Sequence, residues 1–412
     1  MRSAVIYKFL YFLGGAVLVM FVYHLFTIRM RMIPGYEGFQ ATEKAFPFSS
    51  SQYSIEDDLG NKTAVDKVGF PVSGEFCGDT KLWLEYAEYH DRVVSGKEKG
   101  RYLKYYCDKD RCGGFGNRMQ AITVGLIVSM LSRRIFLLEF SQNPFDFSKF
   151  LIPNMINWRF KVNLQNVGHF NLMNNLRVDK HWSQVEGILL DSNSKEDVLL
   201  TTNIGMDVYM SNFGKKMLSK FLEMKVNSFH SYTVLYGCAM RYLFKHNPVI
   251  IDSVLREQKS LNLKTGHYVA VHIRTVIGEG VPSFSLPSEE YWKPYLECAV
   301  ATAKNYAAPY CSGTCPVYVL TDTEKVKQYA IAQYGDYVMT STVYELHIDH
   351  PRLHVPRLLE EAFVGILTDI EVAARSAVFI STEQSTFSDL IEGLGFFTNK
   401  TTFNLAHCPS SH

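Results

Sequence analysis

The sequence has almost no excess charge of either sign, since 42 lysine and arginine residues stand against 41 aspartate and glutamate residues and leave a formal net charge of +1. A chain with this balance has no overall positive field, so its charge gives no indication of a nucleic-acid-binding protein. No internal repeat with a period of about 20–50 residues is apparent, and a repeat architecture is therefore not expected. The charged fraction is 20% and the apolar fraction 47%, which is typical of a globular protein and not of a disordered one.

Metal-ligand patterns are also missing. The sequence has no paired CxxC motifs and no histidines at the spacing of a zinc site. Histidines do cluster at positions 347, 350 and 354, with Asp349 among them, but the spacing is not the helical HExxH pattern and Pro351 interrupts it. We therefore predict no metal site and interpret this stretch as a ligand-facing loop.

The eight cysteines favour disulfide bonds. All lie beyond residue 76, and an even number fits an oxidising compartment. The pairs Cys107/Cys112 and Cys311/Cys315 are spaced to close small local loops. Two other cysteines, at positions 238 and 298, fall in helical patterns, where buried thiols are the alternative.

Long hydrophobic runs are absent except at the N-terminus. The stretch from Phe9 to Phe26 carries no charge and has basic residues on both sides, which predicts a membrane-spanning anchor. A cleaved signal peptide is the alternative, but no small-x-small cleavage site follows the run. Glycosylation sequons at Asn61 and Asn399 favour a lumenal position for the rest of the chain.

The segments on either side of this anchor follow from that topology. Residues 1–8 are predicted to be a cytoplasmic tail, residues 9–26 the signal-anchor, and residues 27–76 a stem rich in Gly, Pro, Ser and charged residues. We expect a single-pass type II protein of the Golgi membrane, with the ER as the alternative.

Beyond the stem, strand and helix patterns alternate, which predicts an α/β fold with parallel sheets. The change between two domains is placed near residue 246, giving an N-terminal domain over 77–245 and a C-terminal domain over 246–412. The predicted strands are 102–107, 135–138, 198–202, 268–273, 317–320, 337–339 and 377–380. The predicted helices are 83–94, 119–132, 213–245, 249–261, 289–306, 324–334 and 358–375, with another from about 387.

The stretch from Tyr268 to Gly280 is the densest functional signal. A buried-strand pattern ends in His272 and Arg274 before a glycine-containing loop. Open α/β sheets bind ligands at the carboxyl ends of their strands, and the planar, permanently charged guanidinium matches phosphate oxygens. The alternative for Arg274 is a salt bridge to a neighbouring helix.

The second signal is the glycine-rich sequence GGFGNRM at residues 113–119, between a strand pattern and a helix pattern. Glycines here permit a tight turn with close backbone approach, and the N-terminus of the following helix offers N–H groups to an anion. Asn117 and Arg118 are predicted to lie at that N-terminus. The spacing is neither the dinucleotide fingerprint nor a P-loop, so a packing turn is the alternative.

These motifs together resemble the fucosyltransferase superfamily. Gly114 to Met119 resembles its GLGNR opening, and Val271 to Arg274 its HxR motif. Thr321-Asp322 is similar to its TD strand end, and the stretch from Asp369 to Phe387 to its ending with SxxSTF. The four motifs come in the family's order and span roughly residues 105–396.

The resemblance implies a GT-B fold, with two facing Rossmann-like domains, and metal-independent inverting transfer of fucose from GDP-fucose. Arg274 would hold the β-phosphate of the donor, and His272 would contact the ribose or guanine. Asp322 is a further expected donor contact. The other donor-binding residues that the resemblance implies are Asn117, Arg118, Asp369, Ser385 and Thr386.

The acceptor hydroxyl needs a base, unless the leaving phosphate takes the proton. Glu279, in the loop after Arg274, is the candidate, and a solvated loop residue is the alternative. Asp322 is the reserve candidate, with helix capping as its alternative.

The sequence departs from the family after Arg274, where Thr275-Val276-Ile277 replaces a second charged group. We expect an enzyme that transfers fucose from GDP-fucose to a glycan hydroxyl without a metal cofactor. A protein O-fucosyltransferase and an inactive lumenal glycan-binding protein of the same fold are the alternatives.

Overall fold

The computed structural model describes residues 77, 80–106, 114–139, 147–164, 168–171, 197–201, 229–275, 289–305, 311, 315–342, 356–381, 385–398 and 404–406. All of them belong to one compact unit. Within these ranges no helix has both the length and the apolarity needed to cross a membrane. The predicted anchor at 9–26 and the predicted stem at 27–76 lie outside the described residues.

From residue 229 onward the described helices and strands alternate as predicted. The helices are α1 (Thr80–Val94), α2 (Phe115–Leu131), α3 (Phe229–Leu243), α4 (Pro248–Ser260), α5 (Glu289–Asn305), α6 (Glu324–Tyr334), α7 (Pro356–Ala374) and α8 (Thr386–Thr398). The strands are β1 (Arg101–Tyr106), β2 (Arg134–Glu139), β3 (Leu151–Pro153), β4 (Gly168–Asn171), β5 (Val198–Thr201), β6 (Phe244–His246), β7 (Val269–Ile273), β8 (Val317–Thr321), β9 (Val338–Thr340), β10 (Val378–Ser381) and β11 (Asn404–Ala406).

The first sheet has the strand order β2-β1-β5-β4, and its strands are all parallel. Parallel neighbours need a crossover, and α2 supplies the one between β1 and β2. Residues 118–130 of α2 are buried without exception, because the helix is apolar on all sides and packs between the sheet and other helices.

The second sheet has the order β11-β10-β7-β8-β9 and is also entirely parallel. Its central strand β7 is buried along its whole length, as is β8 beside it. Such strands read as continuous apolar runs with β-branched residues, and this is why the sequence pattern located them. The prediction of parallel sheets is confirmed.

Element boundaries differ from the predictions by a few residues. The helix predicted from residue 119 begins at Phe115, so Asn117 and Arg118 lie in its first turn, as expected for a helix N-terminus. Of the helix predicted over 213–245, residues 229–243 form α3, whereas residues 244 and 245 were wrongly assigned to the helix and belong to β6. Four short strands, β3, β4, β6 and β11, were not predicted, since three or four residues carry too little periodicity to be recognised.

Helix α8, which follows the second sheet, packs on α3 and α2 of the first-sheet region. The contact with α3 is unusually close: a Cβ atom built on Gly393 would lie 2.0 Å from the carbonyl oxygen of Thr233, and one on Gly237 would lie 2.1 Å from that of Gly393. Only glycine fits at such a crossing, so these two residues allow the helices to meet backbone to backbone.

The disulfides correct one expectation and confirm another. Cys311 is bonded to Cys315, as its spacing predicted. Cys238 is not a thiol, because it is bonded to Cys77, 161 residues away, and Cys298 is disulfide-bonded as well. Helical patterning placed these two cysteines in helices but could not reveal distant partners. Cys107 and Cys112 lie outside the described residues.

Candidate functional site

Three strands of the second sheet end side by side. The register pairs His272 of β7 with Ser381 of β10 on one side and with Leu320 of β8 on the other. Ile273 pairs with Thr321 in the same way. Because all three strands run in one direction, the residues that follow them meet at one edge of the sheet, where α/β proteins bind ligands. The prediction that these strand ends meet at one edge of the sheet is therefore confirmed.

Arg274, the first residue after β7, forms an ion pair across this edge. Its Nη1 lies 3.2 Å from Oδ2 of Asp322, the first residue after β8. The two side chains are 25% and 17% exposed, so the pair sits at the edge of the sheet within reach of solvent. The salt-bridge interpretation of Arg274 is thus confirmed in part, although the partner is a carboxylate at a strand end and not one on a neighbouring helix. The phosphate contact predicted for Arg274 stays a prediction.

Asp322 has a second set of contacts. Its Oδ1 accepts hydrogen bonds from the backbone N–H of Thr275, at 2.9 Å, and from the hydroxyl of Thr275, at 2.6 Å. The N-cap residue of α6 is Thr323, so Asp322 does not occupy the capping position considered for it. Its carboxylate instead holds together the ends of β7 and β8.

His272 is buried, with its Nδ1 2.7 Å from the hydroxyl oxygen of Ser388 in the first turn of α8. Its ring also contacts that of Phe387, with the centroids 4.9 Å apart. Burial is the main reason that the pKa of His272 is lowered to about 4; the charge of Asp322 opposes this shift, and the charge of Arg274 adds to it. The imidazole is therefore neutral at physiological pH and cannot act as a cation toward phosphate.

Two helix N-termini meet beside this edge. A Cβ atom on Gly116, in the first turn of α2, would lie 2.6 Å from Oγ1 of Thr386 and 2.8 Å from the backbone nitrogen of Phe387. Thr386 opens α8, and Ser385 before it is buried. The positive ends of both helix dipoles are thus brought together, an arrangement that favours an anion.

Asn117 and Arg118 follow Gly116 in α2. Arg118 is buried, with its guanidinium carbon 5.7 Å from the ring centroid of Phe147, and Asn117 is partly buried. The structure places both in the first turn beside the start of α8. The donor contacts predicted for them stay predictions.

Asp369 lies deeper than a ligand contact requires. It is 1% exposed, and its Oδ1 accepts hydrogen bonds from the hydroxyls of Tyr318 and Ser341, at 2.6 Å each. This carboxylate joins α7 to β8 and to the end of β9. The structure gives Asp369 an internal role, and the predicted contact with guanine stays a prediction.

Sequence reasoning missed the residues that connect these groups. Thr275 and Ser388 are the partners of Asp322 and His272, and Gln120 of α2 donates from Nε2 to Oδ2 of Asp389 in α8, at 3.0 Å. Ser388 follows directly on the STF motif and would have been found by extending that motif one residue. The other pairings have no local signal.

Some predicted residues lie outside the described ranges: Glu279, Asn61, Asn399 and the histidine cluster at 347–354. Within the described ranges, no group of three or more His, Cys, Asp or Glu side chains is arranged to hold a metal ion.

No protein-family model and no curated protein sequence matches the chain. Solved structures do match. A variant of Arabidopsis thaliana FUT1 in complex with GDP aligns with a TM-score of 0.52 at 10% identity, covering 80% of this chain and 79% of that one. NodZ α-1,6-fucosyltransferase with GDP aligns at 0.44 and 11% identity over 71% of this chain and 91% of its own. POFUT1 with GDP-fucose aligns at 0.41 and 12% identity over 76% and 99%.

The likeness to the plant protein extends over most of both chains, and at 10% identity it concerns the fold. The sheet order, the crevice at the strand ends and this likeness agree with the motifs found in the sequence. The chain therefore has a mixed α/β fold with parallel sheets, and this fold is similar to that of the Arabidopsis thaliana FUT1 structure.

Proposed function

We propose that this protein is an inverting glycosyltransferase of the GT-B type that transfers fucose from GDP-fucose to a hydroxyl group of a glycan. The observation that carries the proposal is the position of Arg274, at the carboxyl end of the central strand β7 and partly exposed at the crevice. The meeting N-termini of α2 and α8 supply a second attraction for the diphosphate.

The chemistry fits these groups. The acceptor oxygen forms a bond to the anomeric carbon of fucose, the bond from that carbon to the β-phosphate oxygen breaks, and GDP leaves with the electron pair. Negative charge grows on the β-phosphate, and a preorganised arginine stabilises it. The proton of the acceptor hydroxyl goes to a base, for which Glu279 is the proposed residue.

The same proposal includes metal independence, because the permanent charge of Arg274 stands where another enzyme would use a cation. Activity that persists in EDTA would agree with it. We also propose a type II topology in the Golgi membrane, anchored by residues 9–26, and glycans at Asn61 and Asn399. Their removal by an endoglycosidase would show that these asparagines are lumenal.

The first test is binding of GDP by isothermal titration calorimetry to the full chain in detergent. We expect the wild type to bind GDP. In Arg274→Ala we expect slower turnover of GDP-fucose, because the variant loses about 3–4 kcal/mol of transition-state stabilisation, as for other anion-stabilising donors. Arg256→Ala, which removes an exposed arginine of α4, is the matched control and should behave as the wild type.

Other outcomes identify the alternatives. GDP binding without transfer to any acceptor indicates an inactive glycan-binding protein, and transfer only to Ser or Thr of a folded domain indicates a protein O-fucosyltransferase. A panel of GDP- and UDP-sugars tests the donor. Near-normal turnover in Arg274→Ala would show that the phosphate is held elsewhere.

A second prediction concerns the base. In Glu279→Gln we expect turnover to drop by about 10²–10⁴-fold with GDP affinity unchanged, because general-base catalysis contributes about that much. Rates measured from pH 5 to 9 should lose the limb that reports the base. If the full profile persists, the base lies elsewhere or is the leaving phosphate.

A further inference from the structure

Arg274 has to be ordered in order to bind phosphate tightly. An arginine side chain has several rotatable bonds, and it loses affinity for phosphate if it must be ordered on binding. A guanidinium that stabilises a leaving group has to be held in place before the reaction. The residues around Arg274 show what holds it.

The pairing of β7 with β8 places the carboxylate of Asp322 beside Arg274. Ile273 is paired with Thr321. Arg274 and Asp322 directly follow these two residues, so they lie beside each other at the edge of the sheet. The carboxylate of Asp322 is then used at both oxygens: Oδ2 lies 3.2 Å from Nη1 of Arg274, while Oδ1 accepts two hydrogen bonds from Thr275.

Thr275 differs from the other two residues in burial. It is 1% exposed, whereas the ion pair is partly open to the crevice. A hydrogen bond inside the protein is stronger than one in water, and its loss leaves a buried polar group without a partner. The contact from Thr275 therefore fixes the orientation of the carboxylate from the buried side, and the carboxylate fixes the guanidinium at the open side.

We propose that Asp322 and Thr275 are positioning residues that preorganise Arg274, and that Asp322 is neither the catalytic base nor a direct ligand of the donor. The chain of contacts Thr275–Asp322–Arg274 is, in this proposal, what holds the phosphate-binding group in place. The inference rests on the proposed function, since it assigns the partners of its phosphate-binding arginine.

Three single variants test it, by calorimetry with GDP and by kcat and KM for GDP-fucose. Thr275→Val removes the hydroxyl, keeps the backbone N–H and preserves the shape, and we expect GDP affinity to fall by about three- to tenfold. Thr275→Ser restores the hydroxyl and should recover the affinity of the wild type. Thermal denaturation of each variant shows whether the protein remains folded.

Asp322→Asn separates positioning from charge. Removing a negative charge near bound phosphate should by itself strengthen GDP binding, whereas the loss of a charged partner of Arg274 weakens it. Hydrogen bonds to charged groups are the stronger ones, so we expect a net loss of about tenfold or more. Tighter binding of GDP in this variant would overturn the proposal.

A double variant tests whether the two residues act through the arginine. In the Arg274→Ala background, Asp322→Asn should have no further effect on GDP affinity or on kcat, because nothing remains to be positioned. An additive loss would mean that Asp322 contacts the donor itself. Loss of the acidic limb of the pH–rate profile, which reports the deprotonation of a general base, in the single variant Asp322→Asn with GDP affinity retained would make Asp322 the base.

The failures of the two proposals differ in these measurements. Absence of GDP binding by the wild type contradicts the proposed function and this inference with it. GDP binding that Arg274→Ala removes, but that Thr275→Val and Asp322→Asn leave unchanged, contradicts only the positioning role.

Discussion

At the scale of single residues, Asp389 shows how burial changes a side chain. It lies in the first turn of α8, next to the crevice, and accepts a hydrogen bond from Gln120 of α2. Burial, together with the charge of Glu392, raises the pKa of Asp389 to about 7, which the hydrogen bond opposes in part. An aspartate that is protonated near neutral pH behaves as a neutral donor and acceptor between two helices.

The raised pKa predicts how stability depends on pH. The folded state binds the proton of Asp389 more tightly than the unfolded state does. The resulting stabilisation is therefore complete below about pH 4 and is lost as the pH rises toward and through 7. It amounts to at most roughly 4 kcal/mol. Asp389→Asn imitates the protonated form, and we expect a higher thermal midpoint than the wild type at pH 8 and little difference at pH 5.

The control for this prediction is Asp252→Asn, at an exposed position of α4, which should leave the pH dependence unchanged. Denaturation curves of all three proteins between pH 5 and 8 supply the measurement. If Asp389→Asn loses as much stability over that interval as the wild type does, the titrating group is a different one.

At the scale of elements, the contact between α2 and α8 depends on Gly116. The space for a Cβ atom is taken by the backbone of the other helix, at 2.7 Å from the carbonyl carbon of Thr386. Backbone cannot move aside as a flexible side chain can, so any larger residue must separate the two N-termini. The glycine-rich turn is thus both a packing turn and a part of the crevice.

Gly116→Ala should therefore destabilise the protein by about 1–3 kcal/mol through overpacking, although alanine is ordinarily the better helix residue by about 1 kcal/mol. We also expect weaker GDP binding, since the two helix N-termini no longer meet. Thermal denaturation and GDP calorimetry measure the two effects. Gly116→Ser, with a larger side chain, should exceed Gly116→Ala in both, and a stabilised Gly116→Ala would contradict the close approach.

At the scale of the whole molecule, the buried carboxylate of Glu371 joins elements that are distant in the sequence. Glu371 of α7 has a side chain that is 3% exposed; its Oε2 lies 2.9 Å from Nη2 of Arg241 and its Oε1 2.7 Å from Nε2 of His246. Burial alone would raise the pKa of Glu371, but the neighbouring charges of Arg241 and His246 hold it well below its usual range. Arg241 and His246 belong to α3 and β6, so this carboxylate joins α7 to α3 and to the two-stranded antiparallel sheet that β6 forms with β3.

Removing the charge of Glu371 takes the buried carboxylate away from the partly buried Arg241, and we expect Glu371→Gln to cost about 3–5 kcal/mol of stability near neutral pH. Because its folded pKa is lowered, this contribution is present above the ordinary pKa of a glutamate and disappears as the pH falls below it. Denaturant titration at pH 7 gives the measurement. Glu361→Gln, on the exposed side of the same helix, is the control, and equal losses in both variants would contradict the bridge.

Local patterns were enough to predict most of the elements and the strand ends. Buried parallel strands are continuous apolar runs, so β7 and β8 could be found, and polar residues directly after them marked the crevice. The donor contact of Asp369 was implied only by the family resemblance, and sequence position could not reveal that this carboxylate is bonded to Tyr318 and Ser341 inside the protein. The partner of Cys238 was beyond reach for a similar reason.

The sequence by itself determined the α/β alternation, the parallel sheets, the position of Arg274 at a strand end and the glycine-rich start of α2, since each is recorded in neighbouring residues. Only the tertiary structure decided that Asp322 and Thr275 hold Arg274, and that Gln120 meets Asp389 across 269 positions of the chain. Such contacts depend on how sheets and helices pack, and packing between distant segments leaves no periodic trace in either segment.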